Sequence, residues 1–177
     1  MCKEGDIRVH WYAQKKHFIV DRFEEKDYYA DNLIQVDALL ESLIVRAIKS
    51  RLVISYNYKI EKLKDAEWKL VDGLNYKAEG KAEVKDASVE DSSGLRIFAW
   101  TIVRDRDLEI EILPVDDVEQ AKKVVKCLKK SALYLNVLYS YSFVLEKYDG
   151  WDWVALKDED SNCVINEKYR RTDGKEV

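Results

Sequence analysis

The chain has 177 residues, 47% hydrophobic and 36% charged, with a net charge of −4. That suffices for one domain or two small halves sharing a core, and the acidic balance argues against a general nucleic-acid binder, which carries a basic face. No apolar run approaches the ~20 residues that span a bilayer, and Met1-Cys2-Lys3-Glu4-Gly5 lacks an apolar signal region, so the expected setting is the cytoplasm, without membrane contact.

In chain order, Ile7–Ala13 and His17–Asp21 read as strands around the polar turn Gln14-Lys15-Lys16. Leu33, Val36, Leu40, Leu43 and Ala47 recur at helical spacing, with Asp27 or Asp31 as candidate caps. Leu52–Leu63 alternates Ile54, Tyr56, Tyr58 and Ile60 with Ser55, Asn57 and Lys59, and Glu67–Val71 follows as a short strand with Trp68. A polar segment, 75–94, separates the halves, and Glu79 to Lys85 within it alternate like an exposed strand.

The second half repeats the order. Leu95–Arg104 and Asp107–Leu113 form a hairpin across Asp105-Arg106. In the latter strand Leu108, Ile110 and Ile112 define the expected buried side, with Asp107, Glu109 and Glu111 on the solvated side. Val118, Ala121, Val125, Leu128, Ala132 and Leu135 make the firmest helical stripe, after Pro114 and the capping residues Asp116 and Asp117. Lys122, Lys123, Lys126, Lys129 and Lys130 occupy the other face, where solvation is the default and a nucleic-acid contact through Lys122, Lys126 and Lys130 the weaker reading. Val137 to Leu145 alternates again, Asp149-Gly150 turns, and Trp151–Leu156 returns. Cys163–Ile165 reads as a last short strand, and Arg170 to Lys175 as a frayed end.

The expected fold class is therefore α+β: an antiparallel sheet with two main helices on one face, in two strand-strand-helix-strand-strand halves. The expected organisation is a single domain, 1–177, with repeat halves 7–74 and 95–158. Tyr56, Tyr58, Ile60 and Trp68 match Tyr139, Tyr141, Phe143 and Trp151 at one constant offset, and Trp11 matches Trp100 at a larger one, as duplication with loop deletions would leave. The alternative fold is a single curved sheet gripping one long helix.

No motif for catalysis or phosphate binding is present, and no cofactor is implied. Cys2, Cys127 and Cys163 are odd in number and lack CxxC spacing, which argues against disulfides and zinc; Cys127 reads as a small buried hydrophobe. A hairpin turning at Gln14–Lys16 sends His10 and His17 to opposite faces, against a two-histidine metal site. Asp107, Glu109 and Glu111 are weak candidates for Mg²⁺ or Ca²⁺. Many Lys and Glu with few Gln lean toward a thermophile composition, which a single proline does not fit.

Five Trp and eleven Tyr are the most suggestive feature. If the faces of the two halves meet, Tyr56, Tyr58, Trp68, Tyr139, Tyr141, Trp151 and Trp153 would line a cleft for a small, partly apolar ligand. Ordinary packing is the competing account. Three functions follow in order: a non-catalytic binding protein for a small molecule; a protein-interaction subunit or inhibitor, in some form a homodimer; and, last, a metal-dependent enzyme using the acidic strand.

Overall fold

The computed structural model describes residues 3–16, 20–50, 52–77, 94–103, 108–134 and 138–170. In chain order the elements are β1 (Ile7–Lys15), β2 (Arg22–Ala30), α1 (Leu33–Lys49), β3 (Val53–Lys64) and β4 (Glu67–Lys77), then β5 (Leu95–Val103), β6 (Leu108–Pro114), α2 (Val118–Tyr134), β7 (Leu138–Tyr148), β8 (Trp153–Ala155) and β9 (Asn166–Arg170). The class is α+β and every pairing is antiparallel. The strands form two sheets rather than one, ordered β2-β1-β3-β4 and β6-β5-β7-β8, with β9 also on β7. Two separate 17-residue helices exclude the single-helix alternative.

The element order and strand order of the two halves agree, but the tryptophans do not sit in equivalent places. Trp11 lies on the buried side of β1, whereas Trp100 pairs with Ile110 on the opposite side of its own sheet. Trp68 is within β4, whereas Trp151 stands in a turn, 93% exposed. What the halves share is the order of elements and strands, which does not by itself make them a repeat.

Both helices start with the same device. Asn32 accepts from the Gln35 N–H at 3.0 Å, and the Gln35 side chain accepts from the Asp31 N–H at 2.9 Å. In α2, Asp117 accepts from the Gln120 N–H at 2.7 Å and Gln120 accepts from the Asp116 N–H at 2.5 Å. Each is a reciprocal cap that satisfies N–H groups left free by the first turn. The α1 cap is thus Asn32, not Asp27 or Asp31.

The helices lock the halves together. α1 and α2 pack on each other, α1 touches β6 of the second sheet, and α2 touches β2 of the first. The buried apolar residues form one cluster drawn from both halves, from Val9 and Trp11 to Phe143 and Leu145. A polar clasp reinforces this. Lys130 on α2 donates to Asp6 at 2.8 Å, to Asp31 at 2.5 Å and to the Ala30 carbonyl at 3.2 Å, while the Tyr134 hydroxyl donates to Asp6 at 2.5 Å. Lys129 bonds Glu167 at 2.9 Å at the surface, 44% exposed, whereas Lys130, expected on the same solvated face, is 17% exposed and drawn into the structure.

Three expected strands move. β1 pairs with 22–30, not 17–21, in the register His10↔Asp27 and Lys15↔Arg22. Its charged start, Arg22 to Lys26, hides it from any hydrophobic pattern. β4 runs on to Lys77. Cys163 makes only an isolated bridge with Lys157, and the strand is β9, which takes in Arg170. His17, Leu135, the stretch Glu79 to Lys85 and residues 171–177 lie outside the described residues. No helix among the described residues is long and apolar enough to cross a membrane.

Candidate functional site

The seven aromatics singled out from the sequence do not line one cleft. Tyr56 is buried and stacks on Trp11 at 5.2 Å, with Tyr58 partly buried beside the same core. Tyr141 is buried between Phe143, at 4.6 Å, and Tyr169, at 5.4 Å. Trp68 lies over the Arg8 guanidinium at 4.6 Å, and Trp153 over that of Arg96 at 4.1 Å, as cation–π pairs on different sheets. Trp151 is at the surface, and the side chain of Tyr139 lies outside the described residues. Packing within each half accounts for most of this set.

A cleft does exist between the sheets, built from other residues. It has a volume of about 810 Å³ and lies between the edge strands β2 and β6. Small side chains, Ala99 and Thr101 on β5 and Ala132 on α2, leave the space, and Leu128 and Phe143 add apolar walls. Charged side chains span it. Glu111 accepts from the Tyr28 hydroxyl in a short bond, from Lys26 at 2.8 Å and from Arg46 at 3.4 Å. Lys26 also reaches Glu109 at 3.3 Å, Arg46 reaches Glu24 at 2.7 Å, and Lys15 closes on Glu24.

This network fits its burial. Tyr28 is fully buried, and burial followed by the Glu111 charge pushes its hydroxyl well above the ordinary value, so it stays protonated and donates. Burial works to raise the Glu24 carboxyl, yet the Arg46 charge and Lys15 together hold it below its usual value. The cations of this network are already engaged by carboxylates, so an incoming anion must displace a partner at once. The arrangement is a strut between two sheet edges with space behind it.

The acidic strand is the clearest reversal of expectation. Leu108, Ile110 and Ile112 are the outward residues, 57%, 55% and 43% exposed, while the Glu111 side chain is 13% exposed and points inward. Tyr28, Lys26 and Arg46 are the reason: they give an inward carboxylate the hydrogen bonds that burial demands. Asp107 lies outside the described residues, and no group of three His, Cys, Asp or Glu suited to a metal occurs among those described. His10 bonds Asp27 at 2.6 Å and approaches Glu25 at 3.4 Å, beside the Arg8 ion pairs with Asp27 and Glu61. Cys127 is buried, donates to the Gln35 carbonyl at 3.5 Å, and burial lifts its thiol to about 12.

The outward residues of β6 do not stand alone. Across the pairing with β5, Leu108 faces Ile102, Ile110 faces Trp100 and Ile112 faces Phe98, and Val144 of β7 pairs next to Phe98. Paired residues share a face of the sheet. The outer face of the second sheet therefore carries seven contiguous apolar side chains on three strands. The helices lie on its other side, against Ile97, Ala99 and Leu113. Alternation was legible in the sequence; the outward sense was not, because period two does not say which side is in.

No family model, curated protein or solved structure matches this chain.

Proposed function

We propose that this protein is a non-catalytic interaction protein that docks a protein partner on the outer face of its second sheet. The observation that carries this reading is the block formed by Phe98, Trp100 and Ile102, each partly buried, against Ile112, Ile110 and Leu108, each exposed. A contiguous apolar patch on one face marks an interaction surface, because leaving it wet forfeits the hydrophobic free energy that burial would supply. The block also lies on β6, which stands at one end of its sheet among the described residues. A photo-reactive benzoylphenylalanine at position 110, in cells that produce the protein, is expected to give protein adducts. The same group at position 10, on the outer face of the first sheet, is expected to give few. Equal yields from both positions, or none from position 110, would sink the reading.

The cleft supports a second reading, a small ligand with an apolar body held between the sheets. Its volume of about 810 Å³ falls in the range of ligand sites. Against it stands the mutual satisfaction of the charged groups that span the opening. Native mass spectrometry of protein from its own cells, ionised gently and then denatured, decides: a small mass lost on denaturation favours the ligand, and its absence at every preparation disfavours it.

A further inference from the structure

We propose that the cleft between β2 and β6 takes a neutral molecule with an apolar body, whose hydroxyl or carbonyl oxygen accepts from the indole N–H of Trp11. The inference rests on the second reading above, a small ligand between the sheets, and names its chemical class. Three observations carry it.

The first is the charge balance at the opening. Lys15, Lys26 and Arg46 are matched by Glu24, Glu109 and Glu111, and each cation is paired with at least one of these carboxylates. A charged ligand would have to break one of the pairs and leave a partner uncompensated in a place poor in water. A neutral ligand leaves all of them in place. The closed ion pairs therefore select against ions and not against occupancy.

The second is the nature of the walls. Ala99 of β5, Leu128 and Ala132 of α2 and Phe143 of β7 line the space. Two hydroxyls beside them are already engaged. Ser131 donates to the Cys127 carbonyl at 2.6 Å and accepts from the Tyr29 N–H at 2.8 Å, and Tyr28 donates to Glu111. Such walls offer a ligand body burial and contact rather than hydrogen bonds.

The third is a donor next to the cleft. A recess of about 50 Å³ lies against Trp11, Ala13 and Val53, and Lys15, Glu24 and Arg46 line both this recess and the cleft. Trp11 is 1% exposed, and its Nε1 has no hydrogen-bond partner among the described residues. An indole nitrogen can only donate, and a buried donor without an acceptor is costly. The recess suits a small polar group, while the larger space takes the apolar body.

Heteronuclear NMR of the tryptophan indole N–H groups tests this on the purified chain. The probes share one chain length and differ in charge: octanol, octanoate and octylammonium. Trp11→Phe keeps an aromatic ring and deletes the Trp11 signal, which identifies it. Octanol is expected to shift that signal saturably and to bind at least about 10-fold more tightly than either ion. Each methylene added to the alcohol should tighten binding about fourfold. Trp11→Phe should weaken octanol binding about 3–10-fold. Leu108→Lys, at an exposed position on the outer face of β6, should leave it unchanged. Circular dichroism checks that both variants fold, and the charge series on the unaltered chain stands without them. Octanoate or octylammonium binding as tightly as octanol overturns the inference, and so does octanol binding that leaves the Trp11 signal in place. Native mass spectrometry separates the two levels. A small mass carried by protein from its own cells, with no octanol binding, overturns the neutral class and keeps the cleft reading. No such mass and no binding of any probe removes both.

Discussion

The two sheets have the same strand order and different outer surfaces. The first carries Arg8 paired with Glu61 and Asp27 at its centre, with Phe23 and Leu70 exposed on its outer strands, while the second carries aromatic and branched apolar side chains on β5 and β6, with Lys168 and Arg170 on β9 beside them. Their edges differ as well. β4 carries a bulge at Val71, where the register with β3 shifts between Ile60 and Glu61, and such a bend turns an edge away from further pairing. β6 pairs with β5 without a shift and presents Leu108, Ile110 and Ile112 to solvent. Topology therefore does not decide what a sheet can dock. The residues on the free face decide it, and only one of these two sheets resists a neighbour.

The comparison makes its sharpest claim about which side of β5–β6–β7 is structural. Phe143→Ala, on the buried face, is expected to cost about 3–5 kcal/mol, because it removes a ring and leaves a cavity. Differential scanning calorimetry should register this as a loss on the order of 10 °C. A change under about 1 kcal/mol would mean that the faces are reversed.

Next in size is the strut. Glu111→Ala leaves the Tyr28 hydroxyl, Arg46 and Lys26 without a shared acceptor, and should cost roughly 2–3 kcal/mol in urea unfolding. Glu61→Ala, which breaks an ion pair on the outer face of the first sheet, should cost about 1 kcal/mol or less. Equal losses would erase the distinction between a buried strut and a surface ion pair.

Acid tests the same strut together with the clasp. Burial acts to raise Asp6, but Lys130, the Lys3 N–H and Tyr134 hold it below 3.8, and the hydrogen bond from Lys130 lowers Asp31. Glu24 is likewise held below 4.5. A depressed folded pKa contributes stability that is present above the unfolded value and lost as pH falls through the folded one. Urea midpoints should therefore hold steady from pH 7 to about 5 and decline below about 4.5. Glu24→Gln should flatten that decline, and an unchanged slope would remove Glu24 from the account.

The smallest effect is the most telling. Ile110→Thr should change stability by about 0.5 kcal/mol or less, since its side chain already faces water. A loss like that of Phe143→Ala would show that something covers β6, and the outer face would no longer be a docking surface.

The sequence by itself determined the periods. Helical spacing in Val118–Tyr134 and strand alternation in Leu108–Leu113 and Tyr139–Leu145 follow from local backbone geometry, so the order of elements could be read directly. The α2 cap, Asp117, could be read as well, whereas at α1 the sequence pointed to Asp27 or Asp31 and the cap is Asn32. Only the tertiary structure decided direction. Period two separates Leu108, Ile110 and Ile112 from Glu109 and Glu111 but is symmetric between inside and outside. Hydrophobicity alone turned the leucine and isoleucines inward, whereas Tyr28 and Lys26 on β2 and Arg46 on α1, all distant in sequence, make the inside hospitable to a carboxylate. The same distance hid β2, whose charges find partners only in the folded chain. What one strand can bury is set by the groups that other elements bring to it, and those contacts are long-range.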